Sequence, residues 1–363
     1  MSPATPLDRR TFLRATAGAT AGLALGIHPA GAAPRRDFRG WAWVHGGTEG
    51  SRTEWRARFD RLRTAGIGAV LVSGDPTAEL ASAARETGLA LHRWLWVLNR
   101  SADEWAKATH PEWFSVSRAG DSSLTKPPYV GYYQWVCPTR EPVRAYLRDL
   151  VAEVAKQPDV AGVHLDYIRH PDVILPVGLW AKYGLVQDRE YPPFDFCYCD
   201  VCRATFAART GTDPLDLVDP PADRAWREFR WESVTGVVRT LADTIRQHGK
   251  TVTAAVFPTP DLARRLVRQA WDTWPLDGVF PMLYHSFYEQ PVAWIGAAAR
   301  LGIAALAGRV PLYAGLYLPA LDPAELATAV AAARDAGAAG FSLFEMSGLT
   351  DGHLASLRNV LRP

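Results

Sequence analysis

The stretch Val160 to Pro171 reads V-A-G-V-H-L-D-Y-I-R-H-P. Val160, Val163, Leu165 and Ile168 form a short apolar, β-rich run closed by turn-forming residues, the pattern of a buried strand. His164, Asp166 and Arg169 bring titratable or charged groups into it. Burying a carboxylate is costly unless it is paired or opens on a site, so Asp166, near the strand's C-terminal end, is a candidate functional carboxylate. The plainer reading is a structural ion pair between Asp166 and Arg169.

Outward from this strand, strand-like and helix-like segments alternate. Further strands are expected at Gly40 to His45, Ala69 to Ser73, Leu91 to Leu98, Thr251 to Phe257, Gly278 to Tyr284, Val310 to Leu318 and Ala339 to Phe344. Amphipathic helices are expected at Thr53 to Ala65, Thr77 to Thr87, Val143 to Lys156, Arg224 to Gln247, Asp261 to Trp271, Pro291 to Leu301, Pro323 to Ala336 and His353 to Leu361. Asp322-Pro323-Ala324-Glu325 reads as a helix start, and Gly66, Gly88 and Gly337 as helix stops. A strand-then-helix unit repeated through the chain predicts an α/β fold, a (β/α)8 TIM barrel. No glycine-rich phosphate fingerprint opens the first unit, which argues against a dinucleotide-binding sheet.

Two connections are long, Asn99 to Glu141 after the third strand and His170 to Pro221 after the fourth. Both fall on the barrel's C-terminal face, and long ordered loops tend to be functional. The first carries Trp105, Trp113, Phe114, Tyr129, Tyr132, Tyr133 and Trp135, either as stacking platforms or as the small core such a loop needs. All the cysteines lie here: Cys137 in the first loop, then Cys197, Cys199 and Cys202 as C-Y-C-D-V-C in the second. They match a tetrahedral structural zinc site pinning the two loops together; the rival reading, suited to an oxidising destination, is two disulfides linking Cys137 to one of the three and joining two of the rest, since Cys197 and Cys199 are too close to pair comfortably with each other.

Residues 1–33 read as a removable export signal rather than as part of the fold. D-R-R-T-F-L-R at Asp8 to Arg14 is a twin-arginine pattern, followed by an Ala/Gly/Leu run to Ile27 and the small residues Ala30-Gly31-Ala32-Ala33. The run is too short for a stable membrane anchor. The Tat export machinery is therefore an expected partner, and the destination is periplasmic or extracellular. Arg9, Arg10 and Arg14 against Asp8 account for the formal net charge of +2. The remaining residues 34–363, expected to form a single barrel domain, are near neutral and offer no basic face for nucleic acid.

Several stretches together resemble the glycosyl-hydrolase-like family 10 barrels, a group of exported proteins. They are R-G-W-A-W-V at Arg39 to Val44, H-P-E-W-F at His110 to Phe114, W-V-C-P at Trp135 to Pro138 with V-R-A-Y-L following, G-V-H-L-D-Y-I-R-H-P at Gly162 to Pro171, P-M-L-Y at Pro281 to Tyr284 and G-F-S-L-F at Gly340 to Phe344. The resemblance implies a TIM barrel acting on a carbohydrate. The order C-P, helix, acid and tyrosine at the end of the fourth strand, then C-x-C-x-x-C, is also similar to the family 42 β-galactosidases. There the corresponding cysteines hold a structural zinc and the acid is the general acid/base, which places that role on Asp166. The chain departs from that pattern in having Leu165-Asp166-Tyr167 in place of Asn-Glu-Tyr, and no glutamate in its seventh strand.

Two classes of function follow, an exported glycoside hydrolase acting on a polysaccharide or oligosaccharide and a catalytically inactive barrel that binds carbohydrate. A second carboxylate within reach of Asp166 separates them. Glu345, after the eighth strand, is the expected partner, since Asp75 reads as readily as a helix cap. Carboxyls roughly 5 to 5.5 Å apart indicate retention and roughly 6.5 to 9.5 Å inversion. Trp43, His45, Trp96, Tyr284 and His285 fall at or near strand ends and are expected to bind substrate, with Tyr167 and Arg169 beside Asp166. Side chains alternate along a strand, so about half of the strand-end set should point elsewhere. No G-x-S-x-G elbow supports a serine hydrolase, no histidine spacing matches a metal motif, and no organic cofactor is expected.

Overall fold

Eight parallel strands carry the architecture: β1 (Arg39–Val44), β2 (Ile67–Ser73), β3 (Ala90–Trp96), β4 (Gly162–Asp166), β5 (Thr251–Val256), β6 (Gly278–Pro281), β7 (Tyr313–Tyr317) and β8 (Gly340–Phe344). The computed structural model describes residues 38–46 and 49–362. The expected export signal lies outside the described residues. The strands are ordered β6-β5-β4-β3-β2-β1-β8-β7. The two ends of that order meet through the parallel bridges Val279 to Leu312 and Met282 to Gly315, which close the sheet into a barrel. Glycine is needed at this seam, because a Cβ on Gly315 would stand 2.6 Å from the Pro281 carbonyl oxygen.

The expected helices form with ends shifted by a few residues: Arg52–Thr64, Ala78–Thr87, Glu141–Ala155, Arg224–Gln247, Pro260–Val267, Trp294–Leu306, Pro323–Asp335 and Asp351–Val360. Local chemistry sets those ends. Asp322 accepts from the Glu325 amide while the Glu325 side chain accepts from the Asp322 amide, a reciprocal cap. Gly88 closes its helix in the left-handed conformation at φ 69°. No helix among the described residues is long and apolar enough to cross a membrane.

Alternation along the strands sorts their side chains. Ala42 and Val44 of β1, Val70 and Val72 of β2, and Val163 and Leu165 of β4 pack outward in the large core under the helices. Trp41, Trp43, Ala69, Leu71, Trp94, Ala255 and Phe280 point inward and fill the barrel. Edge-to-face ring contacts such as Trp41 against Phe280, centroids 5.1 Å apart, make that interior aromatic. His92 and His164 lie among these rings. Burial, with Arg39 adding to it, lowers the His92 pKa to about 4. Burial likewise pushes the His164 pKa well down, so both rings are neutral packing groups, His164 with its Nδ1 2.8 Å from the Thr253 hydroxyl.

The two long loops are built against each other on the C-terminal face. The antiparallel bridge Ser117 to Phe196 joins them. Trp113, Phe114 and Trp135 are buried as loop core. Asp195 anchors the second loop: it pairs with Arg230, lies 3.5 Å from Arg268 and accepts the Tyr198 hydroxyl at 2.8 Å. Burial opposes its ionisation, but Arg230 and Arg268 outweigh that and hold its pKa below the ordinary value.

Candidate active site

Asp166 ends β4 on the inward-facing register, and that register decides its surroundings. Trp94 of β3 faces the same way, and its indole Nε1 donates to Asp166 Oδ2 at 2.9 Å. The Tyr167 amide donates to Asp166 Oδ1 at 2.7 Å. Burial raises the Asp166 pKa despite these two donors, because desolvation penalises the charged form more than they favour it. Tyr167 itself adopts φ 48°, a left-handed conformation uncommon for a non-glycine residue. Its ring meets Trp96 at a 45° tilt, centroids 4.5 Å apart.

Asp166 opens into a cavity of about 370 Å³ lined by residues of the strand ends and both long loops. Trp43, His45, Trp96, Tyr167, Arg169 and Tyr284 from the sequence-derived set all line it. His285 does not: it is buried in the short helical turn His285–Tyr288. The step of one residue from Tyr284 turns it off the cleft. Of the first loop's aromatics, Tyr129, Tyr132 and Tyr133 reach the cavity, whereas Trp105, Trp113, Phe114 and Trp135 do not line it.

The ion pair suggested by the sequence between Asp166 and Arg169 is not formed. Arg169 instead binds Asp172, Nη1 to Oδ2 at 2.7 Å, with both side chains buried. The guanidinium is stacked over Trp135, Tyr167 and Phe257 at 4.9 to 5.2 Å. Asp172 is a cleft-lining carboxylate that the sequence reading missed. Its signal was the spacing Arg169-x-x-Asp172 within the turn after the strand.

Glu345 lies beyond Phe344, and it is Phe344 that lines the cavity. The Glu345 carboxylate pairs with His45 Nε2 and accepts from the Ser347 hydroxyl. On its other side His45 Nδ1 is 3.4 Å from the Ser73 hydroxyl. Glu345 thus meets the cleft through an imidazole. Asp75 is an exposed carboxylate bound to Arg93 and 3.3 Å from the Gln157 amide, away from the cavity; its pKa is lowered chiefly by the Arg93 hydrogen bond.

The four cysteines converge. Their Sγ atoms lie within 4.8 Å of one another, all buried. Cys137 Sγ stands 3.4 Å from Cys202 Sγ and 3.6 Å from Cys199 Sγ, and all four are free of disulfides. Four sulfurs about 2.3 Å from one ion would sit on a tetrahedron with edges of about 3.8 Å, so the cluster fits a metal. The Val116 and Thr139 amides point at Cys197 and Cys137 Sγ, each at 3.4 Å, as donors that favour thiolates.

No protein-family pattern matches the chain, and no curated protein matches it. Solved structures do. The glycoside hydrolase domain of PgaB (BpsB) from Bordetella bronchiseptica is similar with a TM-score of 0.64 and 14% identity, over 89% of this chain and 99% of that one. The catalytic domain of β-amylase from Paenibacillus polymyxa gives 0.61 and 11%, over 90% and 98%. At these identities the likeness is one of fold.

Proposed function

We propose that the chain hydrolyses glycosidic bonds in a polysaccharide or oligosaccharide, with the Asp166 carboxyl protonating the leaving oxygen. The observation that carries this reading is the placement of Asp166, buried at the C-terminal end of a barrel strand on the wall of an aromatic cavity. A general acid must hold its proton at working pH, and burial raises the Asp166 pKa in that direction. Trp43, Trp96, Tyr167 and Tyr284 offer faces for sugar rings. Arg169, locked to Asp172, fixes the wall behind Tyr167. Glycoside hydrolases among the solved structures of like fold support the reading.

Cys137, Cys197, Cys199 and Cys202 would hold one zinc ion, which fastens the loop that carries the cleft wall to the loop before it and takes no part in the reaction. No organic cofactor is required. The twin-arginine pattern would send the protein through the Tat machinery to a periplasmic or extracellular carbohydrate.

Purified protein lacking the signal, incubated with bacterial and plant polysaccharides while new reducing ends are measured, tests this. Hydrolysis that disappears in Asp166→Asn with sugar binding retained is the expected result. Full activity in that variant would remove Asp166 from the role, and binding with no hydrolysis in either protein would make the chain a carbohydrate-binding barrel.

A further inference from the structure

Glycoside hydrolysis needs a nucleophile opposite the acid, usually a second carboxylate. Among the described residues lining the cavity, the carboxylates are Asp166 and Asp172. Asp172 is closed off: its side chain is 3% exposed and bound to the equally buried Arg169. Attack by it would leave Arg169 without its counter-ion in a low-dielectric site. Glu345 is engaged by His45 and Ser347 and lies outside the lining. Gly47 and Thr48, between the described segments, carry no carboxyl. Tyr284 does not substitute, since burial and then the Asp166 charge push its pKa well above the ordinary value and keep it a hydroxyl.

The cavity wall that Asp166 shares is instead a cage of rings, two of them tyrosines. Trp43 meets Trp94 at 4.8 Å and Phe344 at 5.7 Å, while Tyr284 meets Tyr317 at 5.2 Å and Phe344 at 6.2 Å. All five rings line the cavity together with Asp166. Such a cage suits a small group that is apolar at one end and a hydrogen-bond acceptor at the other, which describes the methyl and carbonyl of an acetamide.

We infer that the substrate is a 1,2-trans glycoside of a 2-acetamido-2-deoxy sugar, and that its own acetamido oxygen is the nucleophile, held in the cage of Trp43, Trp94, Tyr284, Tyr317 and Phe344. This rests on the glycosidase reading above and deepens it. The acetamido oxygen bonds to the anomeric carbon as the bond from that carbon to the leaving oxygen breaks, and the Asp166 proton passes to the leaving oxygen. The resulting oxazolinium cation faces the Asp166 carboxylate, so the charges balance. Water then adds to the anomeric carbon and gives a proton to Asp166, and the ring bond to the amide oxygen breaks to restore the acetamide. No protein-bound sugar forms, and the anomeric configuration is retained.

The test compares β-linked tetramers of N-acetylglucosamine and of N-acetylgalactosamine with their N-deacetylated and 2-hydroxy counterparts. A neighbouring nucleophile held in place should give the acetamido series a kcat/KM advantage of about 100-fold or more. On aryl glycosides of the preferred sugar, replacing acetamido by trifluoroacetamido, a weaker nucleophile, should lower kcat by a similar factor. A 1,2-fused thiazoline of that sugar should bind competitively. Equal cleavage of the 2-hydroxy series, or indifference to fluorination, overturns the inference and leaves the glycosidase reading standing. Failure to cleave or bind any of these sugars, or the polysaccharides above, overturns both.

Discussion

Trp94→Phe isolates what the barrel does to Asp166. The substitution keeps an aromatic ring beside Trp43 but removes the indole donor that stands 2.9 Å from Asp166 Oδ2. A hydrogen bond to a charged group contributes about 1.5 to 3 kcal/mol, and the ionised carboxylate loses more of it than the neutral acid does. At 1.36 kcal/mol per decade, ionisation becomes roughly ten to a hundred times less favourable. If Asp166 is the general acid, the alkaline limb of kcat/KM, where its proton is lost, moves up by about one to two pH units. Carbon-13 NMR titration of labelled aspartate in the free protein follows the same group without relying on activity. Trp43→Phe is the control, because the Trp43 indole lies 3.4 Å from the Ser342 hydroxyl and makes no hydrogen bond to Asp166. A limb that stays in place in Trp94→Phe, or moves to lower pH, would refute the assignment of the titrating group.

Other expectations follow from the same geometry. Asp166 binds its proton more tightly folded than unfolded, so its ionisation costs stability as pH rises from the unfolded value near 3.8 through the raised folded value. Asp166→Asn escapes that cost, and the difference in Tm between variant and native protein should shift in the variant's favour across that window and be constant below it, as calorimetry over a pH series can read. Arg169→Met leaves Asp172 charged and buried alone and should cost about 3 to 5 kcal/mol in urea unfolding, with part recovered when Asp172→Leu is added. Elemental analysis of protein purified without chelator should find one zinc per chain, lost in Cys137→Ser; with on the order of 10 kcal/mol of apparent binding energy removed, the loop between His170 and Pro221 should become open to proteolysis. Glu345→Gln should lower kcat in the native background and change nothing further in His45→Ala, since the Glu345 carboxylate pairs with that cleft-lining imidazole.

The barrel was legible in the sequence because its causes are local. Strand runs such as G-V-H-L-D, helix caps such as Asp322 with Glu325, and glycine stops such as Gly88 act over a few residues, and they recur in the structure with only small shifts of boundary. The cysteines were legible as a pattern of soft ligands, while the convergence of all four Sγ atoms to within 4.8 Å of one another needed the tertiary structure. Asp166 stood out because a carboxylate inside an apolar run demands a reason. Its partners did not, because they are set by which side chains of different strands share the inward register. Trp94 and Asp166 are 72 residues apart and meet only because β3 and β4 pair with Trp96 opposite Asp166. Sequence spacing likewise could not show that Arg169 turns to Asp172, that His45 stands between Glu345 and the cleft, or that His285 points away while Tyr284 points in. Each of those depends on the direction of one side chain at the end of a strand, where a step of one residue exchanges the cleft for the core.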